Sequence, residues 1–169
     1  GGGSHSAFYT HESGKDHPEN APSLIFKNCL FLGSENNDRV LRLQSGRILY
    51  SMGLHAGYRG QDCFAPGQLC FFYSDDDGFT WHKTPENYQF PMPADHVGFQ
   101  EPGLYQYEDG KIWCYIRSGM GCQLQCFSED DGMTWSAPGP NYFFSSPTSP
   151  MLVKDAGPYT VAVFNPIPA

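Results

Sequence analysis

Short apolar segments alternate with polar turns along the whole chain, and no stretch has the period of an amphipathic helix. The segments are rich in β-branched and aromatic residues, which is typical of strands. They come in pairs around glycine turns: Arg47–Met52 follows the turn at Gly46, and Lys111–Arg117 follows the turn at Gly110. The pattern predicts an all-β chain of short antiparallel strands.

An eight-residue motif follows an aromatic strand at two places in the sequence. Ser74–Trp81 reads SDDDGFTW, and Ser128–Trp135, 54 positions later, reads SEDDGMTW. We expect each copy to be a hairpin turn in which Asp76 or Asp130 accepts hydrogen bonds from backbone N–H groups and the glycine takes positive φ. The closing Thr-Trp is expected to start the returning strand and to bury the Trp between neighbouring units. We call these two copies the acidic turns.

The acidic turns resemble the Asp-box, or BNR repeat, of the sialidase (neuraminidase) superfamily, whose members are six-bladed β-propellers. The resemblance implies a sialidase-like propeller with about three blades in this chain. Residues 1–36 are interpreted as a remnant blade with a linking strand, 37–90 as the first Asp-box blade, 91–145 as the second, and 146–169 as the start of another. Open blades leave sheet faces and edges unpaired, so we expect a missing half or a second chain to complete the propeller.

Composition narrows the classes of function and of site. The net charge of −8 argues against a nucleic-acid groove and against an anionic membrane surface. No signal peptide or transmembrane run is present, so the compartment stays open, with a secreted or periplasmic location slightly favoured. The six cysteines match no standard zinc spacing and are interpreted as small buried hydrophobes, with a disulfide as the alternative. No cofactor or metal is expected, because the acidic turns lack the distal Glu and flanking helices of a calcium loop.

Aligning the units brings several charged residues to one mouth of the propeller. Arg39 and Glu101 lie at the starts of innermost strands, whereas His55 and Arg117 lie near the ends of the strands that follow. Together they would form a cationic pocket for a carboxylate-bearing sugar, because guanidinium binds carboxylate through two parallel hydrogen bonds. The structural alternatives are a strand-end salt bridge for Arg39, a strand-edge cap for Glu101 and a solvated loop for His55.

The superfamily resemblance implies a role for each candidate. Arg39 in NDRVLRL is similar in place to the first arginine that clamps the sialic acid carboxylate. Glu101 and Arg117, which bound EPGLYQYEDGKIWCYIR, resemble the glutamate that polarises a tyrosine nucleophile and the second clamping arginine. Asp62 in YRGQDCF is the candidate acid/base, with His55 as a rival. The third arginine and the tyrosine have no assigned counterpart in this sequence.

The resemblance therefore implies a glycoside hydrolase of the retaining, exo-α-sialidase type that acts on an acidic glycan. A tyrosine nucleophile avoids the repulsion that an anionic nucleophile would meet beside the substrate carboxylate. The sequence is expected to be part of the catalytic propeller and inactive alone. The alternatives are a non-catalytic Asp-box propeller that binds glycan or protein, and a structural fragment with no ligand, because a fold does not fix a function. The sugar recognised is left open.

Overall fold

The computed structural model describes residues 31–34, 40–56, 67–88, 98–143 and 151–165. Every regular element in these ranges is a β-strand, which confirms the all-β prediction. None of the described residues belongs to a helix that would be long and apolar enough to cross a membrane. The strands are β1 (Phe31–Ser34), β2 (Val40–Arg42), β3 (Ile48–Ala56), β4 (Gln68–Ser74), β5 (His82–Tyr88), β6 (Gln100–Gln106), β7 (Ile112–Arg117), β8 (Gln123–Ser128), β9 (Gly139–Asn141), β10 (Leu152–Ala156) and β11 (Tyr159–Val163).

The strands form three antiparallel sheets. In the first blade, β2, β3, β4 and β5 pair in sequence order, and β1 pairs with the far end of β3. The second blade has the order β6-β7-β8-β9, and β10 with β11 makes a hairpin that begins a third blade. Four-stranded antiparallel meanders of this kind are the blades of a β-propeller. The prediction of a propeller with about three blades in this chain is confirmed.

The sheets stack because both faces of the second blade are apolar. Successive side chains of a strand point to opposite faces, so a strand that is apolar throughout needs a partner on each side. One face packs on the first blade and the other packs on the β10–β11 hairpin. The first contact includes Leu49, Phe71, Ile112 and Cys114. The second contact includes Trp113, Tyr115, Met151 and Val153.

Hydrogen bonds inside the acidic turns follow the sequence-based expectation. The Asp76 carboxylate accepts one bond from the Thr80 N–H at 2.8 Å and another from the Thr80 hydroxyl at 2.6 Å. The bonds from Thr80, with a further bond from the Ser74 hydroxyl, lower the pKa of Asp76 to about 2. Asp130 accepts the same two bonds from Thr134. Both turns are therefore closed by their own side chains, and no ligand is needed to hold their shape.

The tryptophan that closes the second acidic turn joins two blades. Trp135 is 6% exposed and stacks on Phe71 of the first blade, with ring centroids 3.9 Å apart and 5° between the planes. The Tyr88 hydroxyl donates a hydrogen bond to the Trp135 carbonyl at 2.5 Å. Gly132, at φ 82°, lies so close to Leu49 that an added Cβ would sit 2.5 Å from Leu49 Cδ1. The prediction that the Trp is buried between units is confirmed for Trp135.

The sequence pattern predicts a strand over Arg47–Met52 and a loop from His55 to Gly67, but the strand does not end before His55. β3 continues through His55 and Ala56, because Leu32 and Phe31 of β1 pair with them and extend the ladder. The expectation failed because β1 adds its hydrogen bonds from a distant part of the chain.

The returning strand after the second acidic turn was predicted to begin at Thr134, but β9 begins only at Gly139. Before it, Ser136 bonds back to Phe127, with its N–H donating to the carbonyl at 2.8 Å and its Oγ accepting from the N–H at 3.0 Å. Pro138 then supplies no N–H to a ladder, so regular pairing starts one residue later.

Three of the four described cysteines are buried thiols, as the hydrophobic interpretation predicts. Cys70, Cys114 and Cys126 are fully buried, whereas Cys122 is half-buried. Burial raises the pKa of the Cys70 thiol. Cys29 and Cys63 lie outside the described residues.

The contact between Gly132 and Leu49 generates a stability prediction. Gly132→Ala should lower the free energy of unfolding by about 2–4 kcal/mol, because it adds overpacking to the strain of a positive φ. Gly110→Ala is the matched control, since Gly110 has φ 89° and no atom within 4 Å of an added Cβ. The control should lose only about 1–2 kcal/mol. Chemical denaturation of the purified variants measures both values, and equal losses would rule out the contact between blades as the cause.

Candidate functional site

The structure describes two of the five predicted site residues in full. Glu101 lies near the start of β6, and Arg117 is the last residue of β7. His55 lies on β3, but the described structure does not include its side chain. Arg39 and Asp62 lie outside the described residues, so their predicted roles remain predictions.

A β-bulge in β6 contains Glu101, whose side chain contacts Arg117 of β7. Gln100 pairs with Arg117 and Gly103 pairs with Tyr115, so β6 has one more residue than β7 between these pairs. Glu101, inside this bulge, has φ 44°, a left-handed conformation that is unusual for a residue other than glycine. Bulges of this kind re-aim a side chain and are common beside active sites.

Glu101 and Arg117 form an ion pair at the end of the second blade. Arg117 Nη1 donates a hydrogen bond to Glu101 Oε2 at 2.9 Å. The side chain of Arg117 is 27% exposed and that of Glu101 is 17% exposed, so the pair is half-buried but still reached by solvent. Within the described ranges, the Arg117 guanidinium donates a hydrogen bond to Glu101 alone. Because a guanidinium carries five N–H donors in a planar fork, Arg117 can bind a carboxylate while it keeps this bond.

Contacts from both sides of the pair fix its backbone. Ser51, fully buried on the first blade, donates its hydroxyl to the Pro102 carbonyl of the bulge at 3.1 Å. Ser118, which follows Arg117, donates its hydroxyl to the Cys122 carbonyl at 2.8 Å and closes the β7–β8 loop. The neighbouring blade therefore helps to hold the bulge that carries Glu101.

Sequence reasoning missed the bulge and both serines. A signal for the bulge was present, because Pro102 interrupts a strand pattern and proline within a sheet is confined to edges and bulges. The two serines gave no such signal, since their partners lie in another blade or across a loop.

A second polar feature lies at the opposite end of the first blade. A cavity of about 430 Å³ is bounded by the β2–β3 turn and both acidic turns. Its arginines are paired with carboxylates: Arg42 contacts Asp77 at 2.8 Å and Arg47 contacts Asp75 at 2.7 Å. The bond from Arg47 lowers the pKa of Asp75. Because its lining also includes Asp131, three carboxylates face two guanidinium groups, and this net negative cavity does not fit the expected binding of an anionic sugar.

Metal binding finds no support in the described side chains. Across the described ranges, no three His, Cys, Asp or Glu residues are grouped so that they could hold an ion.

No protein-family profile matches the sequence. No curated protein matches it either. Among solved structures, a protein of unknown function from Dyadobacter fermentans gives a TM-score of 0.56 at 22% identity, over 73% of this chain and 31% of that one. NanB sialidase from Streptococcus pneumoniae gives 0.45 at 25% identity, over 61% of this chain and 13% of that one. The intramolecular trans-sialidase from Ruminococcus gnavus gives 0.43 at 22% identity, over 68% and 20%.

The chain spans less than a third of the length of each of these structures. At these identities the likeness concerns the fold alone. The described part of the chain has an all-β fold of propeller-type blades.

The conformation of Glu101 generates a prediction about backbone strain. Glu101→Gly and Glu101→Ala both remove the ion pair, but only glycine adopts positive φ without strain. We expect the Gly variant to be more stable than the Ala variant by about 1 kcal/mol in chemical denaturation. The same two substitutions at Val161, in the regular strand β11, should give the reverse order, because Ala is normally favoured over Gly in a strand. An Ala variant at position 101 as stable as the Gly variant would show that the bulge is not strained.

Proposed function

We propose that the chain is part of a sialidase-like glycoside hydrolase that cleaves glycosides of a carboxylate-bearing sugar, with Glu101 and Arg117 in its active site. The observation that carries the proposal is the Glu101–Arg117 ion pair, held on a strained bulge at the end of a blade. Strain at a backbone position persists only where the surrounding structure enforces it, and such positions cluster at functional sites.

Arg117 is proposed to bind the carboxylate of the sugar. Its guanidinium is half-buried, where a charge-assisted hydrogen bond is stronger than it is in bulk water. Arg39 is proposed as a second clamp on the same carboxylate. Two arginines explain how a chain with a net charge of −8 would bind an anionic substrate at one place.

Glu101 is proposed as the base that accepts the proton of a tyrosine hydroxyl as this nucleophile attacks the anomeric carbon. A neutral tyrosine approaches this carbon without repulsion from the adjacent carboxylate, which an aspartate or glutamate nucleophile would meet. The bulge fixes the Glu101 side chain before the substrate arrives, which lowers the entropic cost of reaching the reactive geometry. Asp62 is proposed as the acid that protonates the leaving oxygen, with His55 as the alternative.

The repeated turns add to the support for the fold that this proposal requires. Their hydrogen bonds and buried Trp135 match the role that the Asp-box resemblance implies for them. Because one fold serves many activities, the proposed reaction rests on the ion pair and not on the turns.

The test of the proposed function is hydrolysis of a fluorogenic sialic acid glycoside by the full-length protein. Glu101→Gln removes the proposed base and should lower kcat by about 10²-fold or more. Arg117→Ala removes the proposed carboxylate ligand and should lower kcat/KM by about 10²-fold or more. Initial rates over a range of substrate concentrations separate the two effects.

Lys111→Ala is the matched control for losing an ion pair in the same blade. Lys111 contacts Glu129 at 3.0 Å at the opposite end from Glu101, so this variant should keep the wild-type rate. A full-length protein that is inert on this substrate and on a panel of other acidic glycosides would refute the hydrolase. Binding of these glycosides without turnover would identify a glycan-binding propeller instead.

A further inference from the structure

We propose that Tyr142 and Phe143 form a second sugar-binding subsite, which stacks on the neutral sugar next to the acidic one in the glycan. We call these two residues the aromatic ledge. The inference rests on the proposed function and extends it, because it assigns a binding position to the part of the substrate beyond the acidic sugar.

The aromatic ledge lies at the same end of the second blade as the Glu101–Arg117 pair. Gln100 of β6 pairs with Arg117, the last residue of β7, and the β7–β8 loop leads directly into Gln123. Gln123 in turn pairs with Asn141, the last residue of β9, and the ledge follows immediately. All these positions therefore share one end of the sheet. β9 is two strands away from β7, which is roughly 10 Å at the usual strand spacing. A glycan whose acidic sugar lies at Arg117 can span this distance with its next sugar ring.

The ledge is exposed to an unusual degree for its chemistry. Tyr142 is 85% exposed and Phe143 is 83% exposed, the two highest values among the large hydrophobic residues of the described ranges. Met120, in the β7–β8 loop at the same end, is also 47% exposed. Single exposed hydrophobic residues are ordinary. Two adjacent exposed aromatic residues, with a third exposed apolar side chain at the same end of the blade, are typical of a binding surface.

Local hydrogen bonds hold the ledge in place. The Asn141 side chain accepts a bond from the Phe143 N–H at 3.0 Å and donates one to the Gln125 side chain at 2.9 Å. Asn141 itself is 9% exposed, so this turn is anchored in the blade. A binding surface anchored in this way loses little conformational entropy when a ligand arrives.

The chemistry of the ledge fits a neutral sugar. An aromatic ring is electron-rich on its face, and a sugar ring presents a face of weakly positive C–H groups to it. Neither ledge residue carries a charge, so the ledge offers no counterion to an acidic sugar. That role belongs to Arg117, and the two positions together would read an acidic sugar followed by a neutral one.

Calorimetric titration of the full-length protein with S-linked sialosides, which resist hydrolysis, tests the proposal. The probes are a methyl sialoside and a sialoside linked to lactose. The lactosyl probe should bind about tenfold more tightly than the methyl probe. The double variant Tyr142→Ser, Phe143→Ser should abolish that gain and leave the methyl probe unchanged. The control Phe79→Ser, Tyr159→Ser removes two exposed aromatic residues at the opposite end, 53% and 72% exposed, and should retain the gain.

Lactose alone, observed by saturation-transfer NMR, separates a failure of the ledge from a failure of the proposed function. If the aromatic ledge binds a neutral sugar, the wild type should transfer saturation to lactose, and the Tyr142→Ser, Phe143→Ser variant should not. Any of three results would overturn the inference. The wild type shows no saturation transfer to lactose, the transfer persists in the variant, or the wild type binds both sialosides with equal affinity. If lactose binds through the ledge while neither sialoside binds more tightly than lactose and Arg117→Ala changes nothing, the ledge stands and the proposed function fails.

Discussion

The second blade is apolar on both faces, and this constraint organises the described structure. A sheet with one apolar face can be covered by a single layer, but this blade needs a partner on each side. The first blade covers one face through the cluster around Phe71 and Trp135. The β10–β11 hairpin covers the other through Met151 and Val153. Stacking of blades is therefore a requirement of burial.

The same stacking fixes the geometry of the candidate site. Glu101 does not follow the regular ladder of its own blade, because Pro102 lacks an N–H and the bulge disrupts the pairing. The hydroxyl of Ser51 on the first blade binds the Pro102 carbonyl instead. A carboxylate on one blade is thus held partly by its neighbour. A change in the packing between blades would move the Glu101–Arg117 pair even if no residue of the pair were altered.

Much of the fold was accessible from the sequence because its signals are local. Strand alternation, glycine turns and the repeated SxDxGxTW pattern predicted the strands, the turn hydrogen bonds and the burial of Trp135. The extension of β3 through His55 and the late start of β9 were missed, because both depend on hydrogen bonds that are set outside the segment itself. Each failure concerns an end of a strand, where local preference is weakest.

The candidate site was accessible only in part. Alignment of the repeated units placed Glu101 and Arg117 at one mouth, and the family resemblance implied their roles, but their 2.9 Å contact and the positive φ of Glu101 required the structure. The role of Ser51 and the exposure of Tyr142 and Phe143 depend on how strands from different parts of the chain meet. No spacing in the sequence encodes them.

The account depends most directly on recognition of a carboxylate by Arg117. Calorimetric titration of the full-length protein with sialic acid and with its methyl ester isolates that interaction, since the ester keeps the shape of the ligand and removes its charge. We expect the acid to bind about 100-fold more tightly than the ester, and Arg117→Ala to reduce this preference about tenfold, because Arg39 is proposed to hold the same carboxylate. Equal binding of acid and ester, or a preference for the acid that is unchanged in Arg117→Ala, would contradict the account.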